Sequence, residues 1–145
     1  MKKYEHIFFD LDRTLWDFVK NSTITLNGIR KKFVLEEKIP DPDEFVKVYN
    51  HYNDLLWDRY RDGKIKKNLL RLERFRLTLR KFGIEDKLLT AKISKHYIDT
   101  CPVNPVLIGN ARETLAYLHD KYRLYIISNG FYDVQLTKLI NSGII

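Results

Sequence analysis

A chain of 145 residues with 44% hydrophobic and 13% aromatic content can bury one substantial core and a small second layer, and no stretch of it is long enough to span a bilayer. Lys2, Lys3, Glu5 and His6 around the short run Ile7, Phe8, Phe9 argue against a signal peptide, and a lone Cys101 excludes an internal disulfide, so a reducing cytoplasm is the expected compartment. The 26 Lys and Arg against 19 Asp and Glu give a formal charge of +7, which steers anionic ligands toward the chain without identifying them.

Ile7, Phe8 and Phe9 run straight into Asp10, a short apolar stretch that predicts a strand buried on both faces. Helical periods follow. Ile24, Ile29 and Phe33 mark a first helix, suited at its C-terminal end by Lys31 and Lys32, and Pro40 is expected to stop it. Asp41, Pro42, Asp43 and Glu44 then combine a cap, a ring-fixed first position and an acidic first turn. Phe45, Tyr49, Tyr52, Leu56 and Tyr60 carry that helix to Gly63, and Leu69, Leu72, Phe75, Leu79 and Phe82 carry the next to Gly83. A fourth has Leu89, Ile93 and Tyr97 before Cys101 and Pro102. Asn110 caps a helix through Ala111, Leu115 and Leu118. Leu124 to Ile127 form a second buried strand ending in Ser128, Asn129 and Gly130, and a last helix with Val134, Leu139 and Ile140 stops at Gly143.

The plan is an α/β core from residues 1–15 and 102–145, interrupted by an all-helical module over residues 16–101. Parallel strands buried on both faces need neighbours, and after Gly143 only Ile144 and Ile145 remain. The sheet is therefore expected to be incomplete at its C-terminal side, with open edges that favour self-association. The basic run Lys64, Lys66, Lys67, Arg71, Arg74, Arg76, Arg80 and Lys81 lies on a helix and reads as a solvated face. Signatures of nucleic-acid binding are absent, so neither a nucleic acid nor a membrane is an expected partner.

The chemistry concentrates at the two strand ends. Asp10 should sit at the carboxyl end of its strand, where open α/β sheets place ligands, with Asp12 and the Thr14 hydroxyl close behind. Carboxylates so near each other repel unless a cation intervenes, and magnesium would both relieve the repulsion and hold a phosphate oxygen. The plainer alternative is that both aspartates only shape a turn and cap the next helix. Ser128, Asn129 and Gly130 offer a hydroxyl, an amide and close backbone approach; alone they are an ordinary turn, but parallel strands would bring them to the same edge as Asp10. Trp16 and Phe18 follow the first loop and could stack on a base, although aromatic residues at helical spacing usually form core. His6, His51, His96 and His119 are scattered, without metal-ligand spacing.

The runs from Ile7 to Leu15 and from Ile126 to Gly130 resemble the haloacid dehalogenase superfamily of phosphohydrolases. That resemblance implies a Rossmann-like parallel-sheet core and makes the helical insertion similar to a cap of the first type. Asn129, Gly130 and Phe131, with Gln135, Lys138, Leu139, Ser142 and Gly143 beyond, are similar to the branch acting on pyrimidine nucleoside monophosphates. On the matching positions it implies Asp10 as nucleophile, Asp12 as general acid and base, magnesium on the Asp10 carboxylate and the Asp12 carbonyl, and phosphate oxygens on Ser128 and Asn129. Arg13 stands where family members often have glycine. The family's third motif, a lysine, and its fourth, an acidic pair, have no counterpart, and Lys138 lies too early to be that lysine and reads as helix surface.

The expected activity is magnesium-dependent hydrolysis of small phosphate monoesters, nucleoside 5′-monophosphates foremost, with this chain alone weakly active or inactive. A phosphonate hydrolase is a neighbouring alternative, requiring a Schiff-base lysine in the helical module. The rival from another class is a non-enzymatic basic helical binding module, whose binding would be salt-sensitive and survive loss of Asp10.

Overall fold

The structure is a computed structural model and describes residues 3–145. In chain order it contains β1 (His6–Phe9), α1 (Phe18–Lys32), α2 (Pro42–Arg61), α3 (Lys67–Lys81), α4 (Lys87–Thr100), a short 3-10 turn (Cys101–Val103), α5 (Ala111–His119), β2 (Arg123–Ile126) and α6 (Tyr132–Asn141). They group into two units, Met1–Ser22 with Thr100–Ile145, and Thr23–Asp99. The sequence placed the divisions at 15/16 and 101/102. Residues 16–22 fall in the strand-bearing unit because Trp16, Asp17 and Asn21 are bonded to the segment around Val106: Asp17 N donates to its carbonyl at 3.0 Å and the Asn21 amide at 2.9 Å.

In the strand-bearing unit β1 and β2 pair in parallel, from His6 opposite Arg123 to Phe9 opposite Ile126, and Ile127 N extends the ladder to the Phe9 carbonyl at 2.8 Å. Parallel pairing needs a long crossover, which the helical unit and α5 supply between them. Neither strand is buried on both faces. Side chains alternate between exposed and half-buried, with Phe8 62% exposed and Ile127 63% exposed, because α5 and α6 leave one face of this two-stranded sheet open. On the open face Phe8 stacks on Tyr125, centroids 4.9 Å apart. A further apolar hollow of about 530 Å³ lies among Phe9, Leu124, Ile126, Leu115, Leu139 and Ile145.

The helical unit has its own core, centred on Tyr49, Phe75 and Tyr97, whose rings lie 5.1 to 5.3 Å apart. Helix α2 starts as its sequence dictates: Asp41 accepts from Asp43 N at 2.9 Å and Pro42 takes the first turn. Helix α1 ends at Lys32, well before Pro40. Its last carbonyls are taken by Val34 N, donating to Lys31, and Leu35 N, donating to Arg30, a Schellman closure that forces Val34 to φ 52°. Asn110 does precede α5, but in the left-handed region and without a side-chain capping bond.

Arg74 departs from the solvated basic face. It is buried, donates to Asn53 Oδ1 at 3.2 Å and faces the rings of Tyr49, Phe75 and Tyr97 at 5.9, 5.7 and 4.8 Å. Guanidinium is weakly hydrated and stacks on aromatic faces, so three rings can hold it where a lysine would stay in water.

Candidate active site

The apolar strand β1 delivers Asp10 to its carboxyl end, where the residue is exposed and its Oδ1 accepts from Leu11 N at 2.9 Å. The loop then wraps around one buried carbonyl. Leu11 O accepts from Thr14, Leu15 and Trp16 N at 3.3, 2.9 and 3.0 Å, while Arg13 N donates to Trp16 O at 2.9 Å. This tight wrap puts Arg13 at φ 66°, which explains why glycine suits the position; here a non-glycine residue takes the strain, with its guanidinium 5.0 Å over the Phe18 ring. The loop is pinned from behind by Ile108 N on the Leu15 carbonyl and by the Trp16 indole, which donates to Asn104 O at 3.0 Å.

Asp12 meets β2's end through helix α6. Gln135 Nε2 donates to Asp12 Oδ2 at 2.9 Å and to Ser128 Oγ at 2.6 Å, so one amide uses both its protons to join the two strand ends. Lys138 Nζ donates to the other oxygen, Asp12 Oδ1, at 2.8 Å, and lies 4.3 Å from the Trp16 ring centroid. Ser128 Oγ also accepts from Gly130 N at 3.1 Å. A serine oxygen has two acceptor positions and one proton; with both acceptors filled, its O–H is left to donate, the polarity an anion requires. Gly130 is glycine for a spatial reason: a Cβ there would stand 2.5 Å from Gln135 Nε2.

The expected site residues thus divide. Asp12 and Ser128 are brought together, through a residue to which the sequence reading gave no role. Asp10 sits at the same edge, since Phe9 pairs with Ile126. Thr14 and Asn129 are both exposed beside their strand ends, without a bond to this cluster. Trp16 is fully buried, which makes it core and closes its ring to a stacked base, and Phe18 is half-buried under Arg13. Lys138, read as helix surface, is buried beside Asp12. Its signal was the spacing Gln135, Lys138, Ser142, three polar residues along one side of α6 and its C-terminal end, all buried.

Magnesium prefers hard oxygen donors, commonly one or two from the protein plus water and substrate phosphate. The exposed Asp10 carboxylate suits it, as does the Asp12 carbonyl, which accepts no backbone hydrogen bond among the described residues. The Asp12 carboxylate is already engaged by Lys138 and Gln135. Among the described residues no three His, Cys, Asp or Glu side chains gather as a ready-made metal cluster, so the residues present fit a cation held partly by ligands from outside the chain.

No family model matches the chain. It is 26% identical over 145 residues to the HAD-hydrolase YfnB of Bacillus subtilis, covering 99% of this chain and 59% of that protein. It is 29% identical over 144 residues to the pyrimidine 5′-nucleotidase PynA of Streptococcus pneumoniae, covering 98% of this chain and 58% of the relative. The chain therefore spans about three-fifths of the length of the curated relatives it matches. The crystal structure of YfnB bound to magnesium superposes with a TM-score of 0.85, covering 99% of this chain and 62% of that one. The defluorinating L-2-haloacid dehalogenase Rha0230, 19% identical, matches in fold with a TM-score of 0.72, covering 97% and 57%. With a parallel strand pair leading to Asp10 and Ser128, a helical insertion between them, and these likenesses in sequence and fold, the chain shares the fold of the haloacid dehalogenase superfamily and is similar in sequence to its members.

Proposed function

We propose that the chain handles small phosphate monoesters, nucleoside 5′-monophosphates foremost, as a magnesium-dependent phosphohydrolase working through an aspartyl phosphate. The observation that supports this reading is the single Gln135 amide shared by Asp12 and Ser128, which brings a carboxylate and a hydroxyl together at the edge bearing Asp10, where they would serve as proton-transfer group and hydrogen-bond donor to an anion. The nucleotide preference is supported by likeness to PynA, a pyrimidine 5′-nucleotidase, at 29% identity.

In this mechanism an Asp10 carboxylate oxygen attacks phosphorus and the ester P–O bond breaks, its oxygen leaving with a proton from Asp12. A water molecule then attacks the phosphorylated Asp10, giving its proton to Asp12, and inorganic phosphate departs with the enzyme restored. Ser128 O–H and the Asn129 amide would steady the phosphoryl oxygens, with Thr14 beside them, where most of the transition-state charge resides. Magnesium, when bound at the Asp10 carboxylate and the Asp12 carbonyl, would supply neutralising charge to those oxygens. The chain's own cation at the site, Lys138, is committed to Asp12, so turnover by this chain alone is expected to be slow.

The rival reading, a basic helical binding module, loses support in the helical unit. Arg74 is withdrawn into the core, Arg76 pairs with Glu73 at 2.6 Å and Arg80 pairs with Glu85 at 3.2 Å, so three of the eight basic residues of that run are withdrawn or paired. The test is hydrolysis of an aryl phosphate and a nucleoside monophosphate panel, with and without magnesium, by the chain and its Asp10→Asn variant. Magnesium-dependent turnover abolished in the variant is expected; turnover indifferent to Asp10 would overturn the proposal.

A further inference from the structure

We infer that Gln135 and Lys138 are positioning residues of the phosphoryl site, fixing the Asp12 carboxylate and the Ser128 hydroxyl in one arrangement through helix α6. This rests on the reading of Asp12 as acid and base and of Ser128 as a phosphate donor.

Both side chains are more than nine-tenths buried, each 6% exposed, and stand one helical turn apart on the same side of α6. Burying an amide and an ammonium costs free energy unless both are well paired, and an apolar pair would serve packing alone at least as well. Here their donors divide with little redundancy, while Gln135 Oε1 is buried without a partner among the described residues. One carboxylate oxygen of Asp12 receives Lys138 and the other receives Gln135, so the carboxylate cannot rotate without losing a bond. The remaining lone pairs are left for a proton passing to or from a leaving oxygen. Gln135 spends its second proton on Ser128, so the hydroxyl's direction is set by the same residue that sets the carboxylate's. Lys138 is held in turn by the Trp16 face, and Trp16 by the Asn104 carbonyl, which ties the clamp to the rear of the loop. A group that must give a proton in one step and take one in the next gains most from such fixation, because a misplacement of about 1 Å can cost on the order of 10²-fold in rate.

The test uses the full chain and its Lys138→Met, Lys138→Arg and Gln135→Leu variants. Inorganic phosphate with magnesium is titrated while amide resonances of residues 10–14 and 128–130 are followed. In the unmodified chain both groups should shift with one midpoint; in Gln135→Leu the 128–130 response should weaken and separate from the other. Rates are then compared on two esters, a nitrophenyl phosphate, whose leaving group needs little protonation, and an alkyl phosphate, whose leaving group needs it fully. Lys138→Met should lose on the order of 10²-fold in kcat on the alkyl ester with KM little changed, much less on the nitrophenyl ester, and Lys138→Arg should restore part of the loss. Equal losses on both esters, losses in KM alone, or an undivided phosphate response in Gln135→Leu would overturn the inference and leave the proposed function standing. No phosphate response in the unmodified chain would remove both. Lys138→Arg keeps the charge and provides the comparison where the methionine variant fails to fold.

Discussion

At Gly130 the fit between backbone and Gln135 is so close that any side chain must displace the amide. Gly130→Ala is therefore expected to cost about 1–3 kcal/mol by overpacking and to uncouple Ser128 from Asp12. Thermal unfolding and the phosphate titration check both effects, and an unshifted melting temperature with unchanged phosphate binding would contradict them. Arg74 poses the opposite case, a buried cation with no carboxylate partner among the described residues. Replacing such a charge with a hydrophobe of similar length is often neutral or favourable, so Arg74→Met should stay within about 1 kcal/mol of the native stability or exceed it. Arg74→Ala should lose about 3 kcal/mol through the cavity it leaves. Chemical denaturation of both variants decides; a methionine variant as unstable as the alanine one would show that the cation itself stabilises the core. The placement of Asp10 and Ser128 at strand ends was legible because each follows an apolar run that must end abruptly, and Asp12 lies two residues beyond the first of them. Arg74 and Lys138 were not, since a charged residue reads as surface until its partner is known. Lys138's partner Asp12 lies 126 positions away in sequence, and Arg74's are three rings brought together by folding.

Three helices close with glycine in the left-handed region, Gly63 at φ 71°, Gly83 at 76° and Gly143 at 73°, and those ends could be read from sequence. Helix α1 closes with the same bonds at Val34, where a β-branched side chain at φ 52° is 83% exposed and so has little packing to offset its strain. Without a glycine there, the next stop signal in the sequence is Pro40, well past the end of α1 at Lys32. Val34→Gly is expected to raise stability by about 1 kcal/mol, the left-handed penalty less the added flexibility of the unfolded chain. A melting temperature several degrees higher would bear this out, and a lower one would show that the left-handed turn is not the element's strained point.

For the whole molecule, the alternation of apolar strand, helical insertion and second apolar strand made the α/β plan legible, but short apolar runs cannot say whether both faces are covered. The face carrying Phe8, Tyr125 and Ile127 is open, and exposed apolar area of this kind favours association. Sedimentation should reveal concentration-dependent self-association that Phe8→Lys with Ile127→Lys suppresses; monomeric behaviour throughout would contradict it. The central claim is chemical, and it is tested most directly by trapping the intermediate. The chain is mixed with magnesium and an excess of a phosphate monoester, quenched in acid, and weighed intact and as peptides. A single phosphoryl group on Asp10, absent from Asp10→Asn, is the result the account predicts. Ester hydrolysis without a phosphorylated chain, or a phosphoryl group carried on any residue other than Asp10, would contradict it.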